Sequence, residues 1–143
     1  MATELDHSFS TTKSIDDSFA AILDLERVVP AVEGGRVIET TGPDSVKAEI
    51  VMKMGAMSMK LVGTVEVVEQ DEAAHRAVVR VKSREAGGQG HANADVTFQL
   101  NEGGGDIHTH AQITGKAASM GEGVVIGVLD GLITDFTSKL GQI

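Results

Sequence analysis

Apolar and polar side chains alternate with a period of two along most of this chain, and the last quarter changes to a helical period. Period-two runs with one wet face are the pattern of an antiparallel sheet covered on one side. The first run, Thr3 to Thr11, sets Leu5, His7 and Phe9 against Glu4, Asp6 and Ser8. Ser14 then makes a good helix N-cap, with Asp16 and Asp17 in the first turn, where the helix dipole favours carboxylates. Ile15, Phe19, Ile22 and Leu23 form the apolar face of that helix. A second, shorter helix over Leu25 to Val29 is expected to run into Pro30, and Gly34-Gly35 breaks the chain.

Six more alternating runs follow. Val37 to Thr41 is short. Val46 to Met54 points Val46, Ala48, Ile50, Met52 and Met54 inward. Met57 to Val68 does the same with Met57, Met59, Leu61, Gly63, Val65 and Val67. Ala74 to Glu85 contributes Ala77, Val79 and Val81, and His91 to Leu100 contributes Ala92, Ala94, Val96, Phe98 and Leu100. Ile107 to Thr114 contributes Ile107, Thr109, Ala111 and Ile113. The joints are short and rich in Gly or Asp, as hairpin loops are: Gly42-Pro43-Asp44, Gln70-Asp71-Glu72, Gly87-Gly88-Gln89-Gly90 and Gly103-Gly104-Gly105. From Ala117 to about Gly141 the spacing of Met120, Val124, Val125, Val128, Leu132, Ile133, Phe136 and Leu140 predicts one long helix.

This order gives an α+β class. A curved seven-stranded antiparallel sheet wraps on a long C-terminal helix, and two short helices follow the first strand. That is the helix-grip arrangement, with a tunnel between sheet and helix, and residues 1–143 are read as a single domain.

Composition changes what fills the tunnel. Aromatic residues are only 3% of the chain and Met is six. A core of this size with so few rings is either built of small side chains or has space in it. Met52, Met54, Met57, Met59 and Met120 are expected to converge, and thioether side chains adapt to flat or branched apolar shapes. The expected cavity wall adds Leu61, Val79, Val81, Ala94, Val96, Phe98 and Ile113 from the strands, and Val124, Gly127 and Val128 from the helix. Gly123, Gly127 and Gly131 recur every four residues and are expected to form a smooth ridge packed on the sheet or opening a path to the ligand.

Charge and motifs narrow the functions. A formal net charge of -9 repels phosphate backbones and anionic headgroups, so nucleic acid is not an expected partner. With no cysteine there are no disulfides, thiol nucleophiles or thiolate metal sites. Met1 to His7 lacks the apolar stretch of a leader, and no run reaches the length of a membrane span, which leads to a cytoplasmic expectation. No G-x-S-x-G or H-E-x-x-H motif occurs, and no catalytic residue is expected. His108-x-His110 faces outward near Asp95, too open a site for a native metal, and none is expected. His7 and His91 are read as structural or exposed. Arg76, Arg80, Lys82 and Arg84 form an outward basic row in which Lys82 is expected to pair with Asp95.

Four strings carry a family resemblance: Leu23 to Pro30, Met54 to Lys60 with Gly63-Thr64-Val65, Glu85 to Ala92, and Gly115 to Gly121. With the element order, they make the whole chain resemble the CO dehydrogenase CoxG family of the START-like (SRPBCC) superfamily. Glu33-Gly34 and Ala56 depart from the Pro-Gly and Pro common there. The resemblance implies a partner, the aerobic molybdenum CO dehydrogenase, and peripheral contact with the inner face of the cell membrane. Combined with an apolar tunnel, it implies a bound respiratory quinone, menaquinone or ubiquinone, held without a covalent cofactor. An adaptor of the dehydrogenase with an incidental cavity is the alternative, and a cyclase-like enzyme would need a polar pair inside the tunnel.

Overall fold

A computed structural model describes residues 1–54, 56–88, 90–115 and 117–140, with Met54 described by its backbone alone. The strands are β1 (Ala2–Ser10), β2 (Gly35–Gly42), β3 (Ser45–Met54), β4 (Met57–Asp71), β5 (Arg76–Glu85), β6 (His91–Asn101) and β7 (Gly104–Ile113). The helices are α1 (Ile15–Leu23), α2 (Leu25–Ala31) and α3 (Glu122–Lys139). The seven strands form one sheet in the order β1-β7-β6-β5-β4-β3-β2, antiparallel at every pair. β1 and β2 therefore lie on opposite edges, and α1 and α2 carry the chain between them. The fold is the helix-grip fold expected from the alternation.

Local chemistry explains most boundaries. Ser14 Oγ accepts from the Asp17 N–H at 3.1 Å and caps α1. α2 does not stop before Pro30 but continues to Ala31, with the proline ring on the exposed side. Only one intrahelical hydrogen bond is forfeited there, because the helix ends a residue later. The terminal helix is also shorter than expected. A 3-10 turn over Ala118–Met120 meets Gly121 at φ 100, a left-handed conformation that ends the turn, and α3 begins after it. The expected end near Gly141 lies outside the described residues.

Three bulges leave one residue each without a cross-strand partner. Pairing skips Ile38 and Thr41 in β2 and Val68 in β4, and all three are exposed. Bulges add twist and help a sheet curl. Curvature also needs Gly63, since a Cβ there would come within 1.9 Å of the Lys82 carbonyl oxygen on β5.

Buried apolar side chains fall into two clusters. The first joins α1, α2 and the end of α3 to the sheet through Phe19, Ile22, Phe98, Leu100, Ile107 and Phe136. The second, around Met52, Met59, Leu61, Ile113 and Val125, lies under the start of α3. The rings of Phe98 and Phe136 meet edge to face at 6.5 Å.

Candidate functional site

Between the sheet and α3 lies a cavity of about 260 Å³. Its roof is the face of α3 carrying Val125, Leu129, Leu132, Ile133 and Phe136, and α2 closes one side with Val28 and Val29. Its floor is made of small side chains. Cross-strand pairing aligns Ala48, Gly63, Ser83 and Ala92 in one row and sets Ala94 beside Ala111 in the next. Six positions that would fill the space with leucines or rings are Ala, Gly or Ser instead. Phe98, Ile107 and Phe136, all buried, close one end. The exposed His91 and Thr114 lie at the other end, beside Met52, Met59 and Ala117.

The expected wall residues divide. Met52, Met59, Leu61, Val79, Val81, Ala94, Val96, Phe98 and Ile113 all line the cavity. Met57, Met120, Val124, Gly127 and Val128 do not. The side chain of Met54 lies outside the described residues. The converging methionines are therefore reduced to two lining residues, Met52 and Met59. The helix residues fail because α3 is rotated from the expected phase. Val125 and Leu129 face the sheet, and Gly127 lies two residues from each, about 200° round the helix. Val124 is 43% exposed. Gly123, Gly127 and Gly131 are exposed, and no atom of the described residues lies within 4 Å of a Cβ built on any of them, so the ridge packs on no described strand. Sequence reasoning missed Leu129 and the small floor, although Ala48, Gly63, Ala92, Ala94 and Ala111 all stood among the inward residues of their runs.

Polar groups facing the cavity are few among the described residues. Ser83 Oγ donates to the Ala92 carbonyl oxygen. Glu85 lies across from Leu61 at the rim and is partnered. Thr109 is 4% exposed, and its hydroxyl has no hydrogen-bond partner. On the outer surface beside the rim, Glu49 binds Arg36 at 2.8 Å and Lys60 at 3.3 Å. The Arg36 hydrogen bond, followed by that of Lys60, holds its carboxyl below the usual range against the opposing desolvation. His7, which lies inward on β1, reaches Asp130 of α3 with Nε2 at 2.7 Å and ties the roof to the sheet edge.

The outward residues also settle. Asp95 pairs with Arg80, not Lys82, because Arg80 stands directly across from it and Lys82 faces Asn93. The Arg80 hydrogen bond holds the Asp95 carboxyl low. His108 binds Asp6 at 2.6 Å and Glu4 at 3.3 Å on β1, away from Asp95. Among the described residues no group of three or more His, Asp or Glu is arranged to hold a metal. No helix among them is long and apolar enough to cross a membrane.

A model of the family of CoxG, a carbon monoxide dehydrogenase subunit, matches residues 8–142. The chain belongs to the CoxG family. Its fold is that of several solved structures. A conserved protein from Geobacillus kaustophilus is 20% identical over 99% of this chain and 93% of its own, with a TM-score of 0.81. A START superfamily protein from Mycobacterium smegmatis is 10% identical over 99% and 97%, with a TM-score of 0.61. The Zhui aromatase/cyclase from Streptomyces sp. R1128 is also 10% identical, over 98% and 92%, with a TM-score of 0.65. At these identities the CoxG chain shares their fold, and the likeness carries no more than that. No curated protein sequence matches it.

Proposed function

We propose that this CoxG chain is a non-catalytic carrier of a respiratory quinone, menaquinone or ubiquinone. It presents the quinone to the aerobic molybdenum CO dehydrogenase at the inner face of the cell membrane. The observation that carries the reading is the apolar cavity of about 260 Å³ over a floor of small residues, in a chain of this family. The enzyme named in the family's description releases electrons from CO, and a quinone that would take them up is dissolved in lipid. A protein that shields the ring and part of the isoprenoid tail lets the two meet. Burial of apolar surface drives such binding at about 25 cal/mol per Å². Among the described residues the two inward hydroxyls have no base bound to them, since Ser83 donates to a backbone carbonyl and Thr109 has no partner, which favours carriage over chemistry.

Native and denaturing mass spectrometry, with solvent extraction, of protein purified from a quinone-containing host tests this. A stoichiometric quinone that Ala94→Leu abolishes is the expected result. Protein that is empty and fails to take up added quinone would instead favour an adaptor that binds the dehydrogenase without a ligand.

A further inference from the structure

Among the described residues, the cavity holds one buried polar side chain without a hydrogen-bond partner. Thr109 lies on β7, with Val96 beside it on β6 and Leu5 on β1. It lines the cavity, is 96% buried, and its Oγ1 meets no donor or acceptor. A buried hydroxyl without a partner is costly, and in native proteins such groups call for an explanation. A core threonine on a strand is normally replaceable by the isosteric valine, which carries no such cost.

Position adds direction. Thr109 is one inward step from Ile107, which stands beside Phe98 at the closed end. Ile113, at the open end, is four residues away along the same strand, about 13 Å. A ligand that reaches Thr109 must first cross the Ala and Gly floor.

We propose that Thr109 is the polar anchor of the cavity and that the ligand enters oxygen first. This rests on the carrier reading above. The hydroxyl donates to a carbonyl, or accepts from a hydroxyl, on a flat apolar ring, so both redox forms of a quinone satisfy it. The ring then lies over the Ala94–Ala111 floor with its leading oxygen at Thr109, and the tail trails towards the mouth. A plain hydrocarbon or an acyl chain fills the same space and leaves the hydroxyl orphaned, so Thr109 sets specificity for an oxygenated ring.

The test measures dissociation constants for two shape-matched probes, menaquinone with a single prenyl unit and the prenylated naphthalene that lacks both oxygens. Wild-type protein is expected to prefer the quinone by roughly tenfold, the size of one buried hydrogen bond. Thr109→Val should bind both probes equally, and Thr109→Ser should restore the preference. Without ligand, Thr109→Val should melt about 4 °C higher, because the unsatisfied hydroxyl is gone. If Thr109→Val keeps the wild-type preference, Thr109 is not the anchor, although the cavity still binds. If wild-type protein binds neither probe, the carrier reading fails and the anchor falls with it.

Discussion

The two ends of the core differ in what fills them. The closed end holds every phenylalanine of the chain: Phe19, Phe98 and Phe136 are buried in it and Phe9 packs against it. The other end has none. It is built from Met52, Met59, Leu61, Ile113, Ala117 and Val125 over a floor of Ala, Gly and Ser. One sheet and one helix span both ends, so backbone architecture is common to them. What differs between them is side-chain volume, with rings at one end and small side chains at the other. The dense end holds the fold together, and the sparse end keeps room for something else.

The comparison is broken most severely by Phe136→Ala, which removes a ring from the closed end and should cost about 4 kcal/mol by denaturant unfolding. A loss below about 1 kcal/mol would show that the closed end is loosely packed too. The sharpest version exchanges like for like. Ala77 and Ala94 both face inward, on the neighbouring strands β5 and β6, but Ala77 is 0% exposed within the dense cluster while Ala94 lines the cavity. Ala77→Leu should cost about 3 kcal/mol by overpacking, whereas Ala94→Leu should stay within about 1 kcal/mol of wild type. Equal losses at the two positions would mean that the space beside Ala94 does not exist in solution.

Glycines divide in the same way. Gly63→Ala forces a methyl into the β5 backbone and should destabilise by about 3 kcal/mol. Gly127→Ala meets open space on α3 and should stabilise by about 0.5–1 kcal/mol through helix propensity. A loss of stability at Gly127 would return that ridge to the packed surface of the molecule.

The smallest effect lies on the sheet's outer face. The Asp6 hydrogen bond, helped by Glu4 and opposed by slight desolvation, raises the His108 pKa above 6.5. The folded form therefore holds the proton more tightly than the unfolded one. The stabilisation is complete below pH 6.5 and is lost as pH rises through the folded-state value. Because these groups are largely exposed, the change should be only about 0.3 kcal/mol. It should vanish in His108→Gln, and a slope of the opposite sign in wild type would contradict the pairing.

Much of this architecture was legible because strand periodicity is local. The alternation from Ser45 onwards, the N-cap at Ser14 and the Gly-rich joints each need only a few neighbours to be read. What spacing could not settle is relational. α3 is apolar at Val124, Val125, Ile126, Val128, Leu129, Leu132 and Ile133, so several rotations satisfy its pattern and only packing on the sheet selects Val125 and Leu129. The partner of Asp95 depends on an inter-strand register, and a shift of two residues separates Arg80 from Lys82. The methionines drew attention because Met is adaptable, yet the cavity comes from small residues aligned across five strands, an alignment visible only once the rows are paired. Thr109 stood among the inward residues of its run, but no spacing rule says whether its hydroxyl finds a carbonyl.

A crystal structure of the chain after incubation with menaquinone-containing vesicles addresses the central claim most directly. The account predicts a ring between Leu129 and the Ala94–Ala111 floor, with an oxygen within hydrogen-bond distance of Thr109 Oγ1. A cavity that stays empty under conditions where quinone is bound elsewhere, for instance along the exposed glycines of α3, would contradict it.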